Sequence, residues 1–443
     1  MSHLTSNKTS TAKRLAHALE ELSREDADYW SYKRMAQRPG LHGLVRYPAM
    51  MVPRMQADVL DAAINVVPTL ARVLDPFVGS GTTLVETVRR GIEFEGIDIN
   101  PLAILICRAK LLDLPPVAVS RAAIRIADGL SADKSKRIEV DFFGRDKWFT
   151  RQASVDLSRI RRAVAAERDK QLRQFFWVVL CETIRQTSLS RETTYKLHIR
   201  EEEEQLGVRT PIDCFGELLT AACSRYALDH QRITGASRPP RSLASLHCRD
   251  IRATSSSEGP PAQLLLTSPP YGDNQSTIPY GQFSYLALNW IQPEDLEGDP
   301  LLRSSAYSTD TASLGGSVKG YTDRAITMAA VLPSFSTFFE ALRTQQRPDL
   351  EGKVAAFTAD FFDAVGVSLS RLEKGGIAIW TLGDRTIGGL QVPMVSICRE
   401  INLFFGMSPV AEVHRRIQSK RMPLRNSVGS TMVSETLLVM VKP

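Results

Sequence analysis

Two short runs in this sequence carry residue types that could act together. The first, VLDPFVGSGTT (73–83), ends an apolar stretch in Asp75 and turns through Gly79 and Gly81 into a segment that opens with Thr82 and Thr83. Glycines let a backbone approach a ligand closely, and a helix starting at this point offers unpaired N–H groups. A phosphate-binding loop would need Gly-x4-Gly-Lys-Ser/Thr, and the lysine is missing. Further on, a second apolar run ends in Asp98 (EGIDINP), where a carboxylate is placed to accept hydrogen bonds from a ribose diol. Two Asp residues capping turns would be the plain alternative; their pairing across one turn favours a nucleoside.

The second run is LLLTSPPYGDNQSTIPYGQFSYLALNW (264–290). Three leucines read as a buried strand that stops at Ser268, Pro269, Pro270 and Tyr271. The two prolines fix the backbone and remove two N–H donors, so Ser268 and the carbonyls near it are presented as acceptors beside an aromatic ring. Such a cleft suits the exocyclic amino group of a planar base, with acceptors orienting the NH2 and Tyr271 stacking on the ring. A proline-rich ligand segment or a plain turn is disfavoured, because an apolar strand precedes the motif and an aromatic helix follows it.

The elements that must hold these runs are legible around them. From Val73 to Asn100 a short apolar run, a Gly-rich turn, a helix and a second apolar run make a β-turn-α-β unit, the mark of an α/β protein with a mainly parallel sheet. Leu102 to Leu111 continues as an apolar helix that LDLPP stops. Residues 113–240 lack strand–turn alternation and carry basic amphipathic helices (Ser154 to Ala166, Gln171 to Ile184), an acidic run from Glu201 to Glu204, and a linker composition, GASRPPRS. This segment reads as a helical insertion. Strands resume in RSLASLHCRDI and AQLLLTSPPY, then in GGIAIWTLGD, and the chain ends on SETLLVMVK. The division expected is a polar arm and helix over 1–40, the first part of the α/β domain over 41–112, the insertion, and the second part over 241–443 with a loop insertion at about 299–350.

At 443 residues, with 43% hydrophobic and 23% charged residues, the chain has ample material for a large core, which excludes wholesale disorder. No apolar run reaches the ~18 residues of a membrane helix, and the N-terminal stretch has no apolar region of a signal peptide. Six scattered cysteines without Cys-x-x-Cys spacing argue against zinc or a disulfide framework, and His42 and His247 have no partner spacing; no metal is expected, and a reducing cytoplasm is. A net charge of +6 fits a polyanionic partner. HRRIQSKRMPLRN gathers Arg415, Arg416, Lys420, Arg421 and Arg425 into a cluster that could clamp phosphates, a solvated loop being the other reading.

DPFVGSGTT followed by TSPPY resembles the S-adenosylmethionine-dependent DNA amino-methyltransferases of the SPPY type, which methylate cytosine N4 or adenine N6. HGLVRYPAMMVPRM (42–55) is similar to the cofactor-binding segment that precedes the Gly-rich turn in that family, and 148–200 is similar to an insertion seen in some members. The resemblance implies a Rossmann-like methyltransferase fold, S-adenosylmethionine as cofactor with S-adenosylhomocysteine as product, and double-stranded DNA as partner, with a cognate restriction endonuclease where one exists. It implies that Asp75, Phe77, Gly79 and Gly81, with Thr82, face the methionine part of the cofactor, lined by Tyr47 and Pro48. Asp98 with Ile99 would hold the ribose, Asp250 would sit near the adenine, and Ser268 to Tyr271 would form the catalytic cleft.

In many enzymes with this motif the catalytic run precedes the cofactor run; here the order is reversed, as in members whose recognition region lies between the two. That makes 113–240 a candidate recognition region, a purely structural role being the alternative; the Gly/Ser-rich stretch within 299–350 is a second candidate. No Pro-Cys dipeptide of a cytosine-C5 methyltransferase occurs. Serine before Pro-Pro-Tyr leans toward cytosine N4, with adenine N6, an RNA amino-methyltransferase and a silent DNA-binding relative as the competing readings.

Overall fold

The computed structural model describes residues 2–24, 26, 28–32, 38–233, 239–255, 258–275, 277–383, 385–417 and 434–443. Nine strands are described: β1 (Arg72–Asp75), β2 (Glu93–Asp98), β3 (Ala244–Cys248), β4 (Ala262–Thr267), β5 (Leu372–Gly383), β6 (Arg385–Ile387), β7 (Leu390–Val392), β8 (Ser408–Arg416) and β9 (Ser434–Val441). Seven form one sheet in the order β3-β2-β1-β4-β5-β9-β8, while β6 and β7 make a separate hairpin. Strands β3, β2, β1, β4 and β5 are mutually parallel, and β9 runs antiparallel between β5 and β8. This is a Rossmann-like α/β sheet flanked by helices. From β1 the chain winds outward through β2 to β3, then returns to β4 on the other side of β1. Ligands of open α/β sheets bind beyond the carboxyl ends of the strands at such a reversal.

The central strands are apolar on both faces, as burial by helices on both sides requires. Leu74, Leu265, Ala378 and Trp380 face a core completed by the helix Pro348–Ser370 and the helix Met394–Phe404. Val73, Phe94, Leu264 and Ile379 face the opposite core, which the helices Pro53–Val66 and Thr82–Val88 and the N-terminal helix cover. That first helix spans Ser2–Glu21 and replaces the expected polar arm; Ala12, Leu15 and Leu19 seat it on the sheet.

The segment 113–240 is helical, with helices at Pro116–Ala132, Arg151–Ala165, Lys170–Thr187 and Pro211–Ile233. Together with Pro101–Lys110 and Tyr280–Leu288 they enclose a third core around Phe175, Phe176 and Trp177. The basic residues expected on two of these helices are largely neutralised inside the fold. Arg162 pairs with Asp133 and Glu139, Arg173 with the buried Asp295, and Arg185 with Glu182 and Glu192. Much of the charge that looked available to a polyanion therefore holds the insertion together.

The expected loop at about 299–350 is mostly helix instead: Ser308–Ala312, Tyr321–Val331 and Pro333–Arg343, followed by the start of Pro348–Ser370. Ala325, Met328, Leu332, Phe335, Phe339 and Leu342 recur at helical spacing and are buried against the sheet's helical layer. The Gly/Ser-rich composition at 313–320 masked that periodicity.

Candidate active site

The Gly-rich turn is built by backbone conformations that few side chains allow. Gly79 and Gly81 lie at φ +50° and +75°, and Gly81 caps the helix Thr82–Val88. A Cβ at Gly81 would sit 2.8 Å from Cys107 Sγ, so this position excludes a side chain by both φ and space. Lys110, itself buried, donates from Nζ to the Ser80 carbonyl at 2.6 Å and holds the turn from behind. Burial lowers the pKa of that ammonium to about 8.

At the end of β2, Asp98 Oδ2 accepts from the Gly79 N–H at 2.9 Å and Oδ1 from the Asn100 N–H at 2.8 Å. A carboxylate has about four acceptor sites, so two remain for a pair of hydroxyl donors. Burial raises the Asp98 pKa to about 6, against the pull of those two N–H bonds. Asn100 caps the helix Pro101–Lys110 through Leu102 N at 3.0 Å and donates from Nδ2 to the Tyr47 hydroxyl at 3.1 Å and to Ser284 Oγ at 2.8 Å. Tyr47 is thereby fixed over the turn, with its ring stacked on Tyr280 at 5.7 Å between centroids.

At the end of β4, Ser268 Oγ and the Tyr271 hydroxyl share a 3.0 Å hydrogen bond. The Gly-rich turn, the Asp98 strand end and this motif open on one cleft. Of the residues singled out from sequence, Tyr47, Pro48, Phe77, Gly79, Thr82, Asp98, Ile99, Asp250, Ser268 and Pro270 line it. Pro269 is buried beneath the motif.

Three residues stand elsewhere than expected. Asp75 is fully buried and not on the cleft wall; its Oδ1 accepts from Thr267 Oγ1 at 2.6 Å and from Phe77 N at 3.1 Å. Gly81 lies behind the turn against Cys107. Tyr271 is absent from the cleft wall and lines a neighbouring cavity with Phe357, Phe361 and Arg385, while its hydroxyl bonds Ser268. Asp250 lines the cleft, but its carboxylate is also held by Arg252, at 2.6 Å for the closest pair.

In the basic cluster, Arg415 is buried, paired with Glu435 at 3.1 Å and in contact with Met55 Sδ. An arginine so enclosed is not offered to a phosphate. Arg416 is exposed, while Lys420, Arg421 and Arg425 lie outside the described residues. Among the described residues no group of three or more His, Cys, Asp and Glu side chains is placed to hold a metal ion, and no helix is long and apolar enough to cross a membrane.

Sequence reasoning missed Asn100, Asn274, Tyr280, Thr309, Ser313 and Leu314, all on the cleft wall. Asn100 was available as a cap signal, since Asn precedes Pro at the start of an apolar helix. The others come from segments without periodicity, and only the fold brings them to the site.

Comparison with known proteins supplies one likeness that runs the length of the chain. The Type II methyltransferase M.MvaI of Kocuria varians is 27% identical over 451 residues, covering 96% of each chain. Over nearly its whole length the chain is thus similar to a Type II methyltransferase. The aligned span takes in nearly all of the helical insertion. The Type II methyltransferase M.MjaII of Methanocaldococcus jannaschii is 39% identical over 71 residues, 16% of this chain and 13% of its own. No protein-family model and no solved structure matches the chain.

Proposed function

We propose that this methyltransferase transfers a methyl group to the exocyclic amino group of a base flipped out of duplex DNA at a specific site, with cytosine N4 as the accepting atom. One observation carries the reading. The Asp98 carboxylate, with two acceptor sites left, and Ser268 of the Ser-Pro-Pro-Tyr motif line a single cleft at the β1/β4 reversal.

The residues present fit S-adenosylmethionine, which when bound would supply the electrophilic methyl group. Asp98 would accept the ribose hydroxyls, Ile251 and Asp250 would flank the adenine, and Tyr47, Pro48, Phe77 and Gly79 would enclose the methionine part. Asp75 serves from behind the wall, by fixing the turn. The amino lone pair of a base is conjugated with its ring and is a poor nucleophile. Ser268 Oγ, oriented by Tyr271, accepts from the amino N–H and favours the tetrahedral nitrogen, stabilising positive charge that develops only in the transition state. Pro270 and Tyr280 offer flat surfaces for the ring beside that acceptor. Taking a base out of the stack costs a few kcal/mol, which stacking and edge hydrogen bonds in the cleft offset.

The M.MvaI likeness supports a Type II enzyme acting on DNA, and the partner would be duplex DNA, with a cognate endonuclease where one is encoded. Labelled-methyl transfer from S-adenosylmethionine to duplex DNA and to tRNA, with nucleoside analysis of the product, tests the proposal. N4-methylcytosine in DNA is expected. N6-methyladenine would move the acceptor, label in tRNA would change the substrate class, and cofactor binding without transfer to any nucleic acid would remove the enzymatic reading.

A further inference from the structure

Asn274 has no role in the function derived above, yet it is placed to have one. It is 4% exposed and lines the cleft together with Ser268, Pro270 and Tyr280. Several other polar side chains there are committed to the fold. Thr309 Oγ1 donates to the Leu302 carbonyl at 2.9 Å, Ser313 Oγ donates to the Thr309 carbonyl at 2.7 Å, and the Asn100 amide is used at both ends. Burial raises the Asp310 pKa to about 6, and the Asn274 amide, which faces that carboxylate, pulls it back down, so that Asp310 is ionised at neutral pH. No hydrogen bond from another described residue engages its carbonyl oxygen. An amide oxygen that faces the cleft in this way is open to a donor on a ligand.

Asp310 determines which way that amide faces. It is fully buried and accepts from Gly281 N at 2.7 Å and Gln282 N at 3.3 Å, so it acts as an acceptor at the head of the helix Tyr280–Leu288. An ionised carboxylate cannot donate, so the Asn274 NH2 turns toward Asp310 and the carbonyl oxygen is left on the other side, with one N–H still free.

We infer that Asn274, held in one orientation by Asp310, reads the edge of the methyl-accepting base and selects bases with an amino group. Its Oδ1 accepts from the exocyclic NH2 and its remaining N–H donates to the adjacent ring nitrogen. Cytosine and adenine both present that donor–acceptor pair. Uracil and hypoxanthine present the reverse pair, and the amide could serve them only by flipping, which would turn its oxygen against the Asp310 carboxylate. This inference rests on the proposed amino-methyl transfer and adds to it a specificity residue outside the Ser-Pro-Pro-Tyr motif.

The test uses the full chain and duplexes carrying the site mapped by sequencing methylated DNA from cells that express it. Binding is measured with S-adenosylhomocysteine present, with either cytosine or uracil at the target position (adenine or hypoxanthine, should the product be N6-methyladenine). Wild type is expected to prefer the amino base by about tenfold or more, and Asn274→Ala to reduce that preference to about threefold or less. S-adenosylhomocysteine affinity should change by less than about twofold, which also reports folding. Asp310→Asn frees the amide to flip and should lose the preference while retaining binding to both duplexes. If the Ala variant binds S-adenosylhomocysteine normally and discriminates as wild type does, the inference is wrong. If wild type methylates no DNA, the functional reading falls first, and that outcome is separate because it is seen without any variant.

Discussion

The Thr267 hydroxyl donates to the Asp75 carboxylate at 2.6 Å, joining the end of β4 to the end of β1. Thr267 precedes the Ser-Pro-Pro-Tyr motif and Asp75 opens the Gly-rich turn, so one hydrogen bond couples the half of the cleft proposed to face the base to the half proposed to face the cofactor. Thr267→Val keeps the shape and removes the donor. We expect about 1–3 kcal/mol lower stability and a larger loss in methyl transfer than in S-adenosylhomocysteine affinity. Equal losses in transfer and affinity, measured by urea unfolding, calorimetry and labelled transfer, would count against the coupling.

Asp75 also makes stability depend on pH. Burial raises its pKa to about 7 from an ordinary value near 3.8. Between those values the folded state holds a proton that the unfolded chain has released, so stability falls as pH rises from about 4 to about 7. Asp75→Asn carries no titrating proton, and its unfolding free energy should decline less over that interval. Parallel slopes for the two proteins in urea titrations at successive pH values would refute the assignment.

Asp98 should govern cofactor affinity. Asp98→Ala removes a charged acceptor, and S-adenosylhomocysteine binding should weaken by about 10- to 100-fold. With a pKa of about 6 in the free protein, the carboxylate loses its charge as pH falls below that value. Wild-type affinity is therefore expected to hold from pH 8 to 7 and to decline toward pH 5, a trend absent from the Ala variant. Calorimetry at each pH checks both; affinity independent of pH would detach Asp98 from the ribose.

Ser268→Ala tests the acceptor directly. The Tyr271 hydroxyl loses its 3.0 Å partner, and on the proposed role the amino group loses its acceptor. Turnover is expected to fall by about 100-fold or more, with S-adenosylhomocysteine affinity within about twofold of wild type. Comparable losses in both would show that Ser268 shapes the pocket and leaves the chemistry to another group.

Gly81→Ala places a Cβ at φ +75° and 2.8 Å from Cys107 Sγ. A stability loss of about 1–3 kcal/mol is expected, together with weaker cofactor binding, because the turn cannot relax without moving Gly79 away from Asp98. A variant as stable as wild type in urea would mean that the helix Pro101–Lys110 yields to the added methyl.

The sequence by itself determined the motifs and the local frame. An apolar strand running into Asp75 and a Gly-rich turn, a second strand ending in Asp98, and three leucines stopped by Ser268-Pro-Pro-Tyr are local patterns, set by strand propensity, glycine freedom and proline geometry. Their residue types were enough to indicate a nucleoside and a base. Tertiary structure decided what each side chain faces. Asp75 reads as a cofactor contact and is instead a tie to Thr267, because parallel pairing of β1 with β4 brings those ends together. Arg415 reads as a phosphate clamp and is instead buried against Glu435, because the pairing of β8 with β9 sets them opposite each other. Asn274 and Asp310, 36 residues apart in the chain, meet only once the helix Tyr280–Leu288 is seated against the insertion. Burial, pairing and orientation are properties of packing between segments distant in the chain, and no local pattern encodes them.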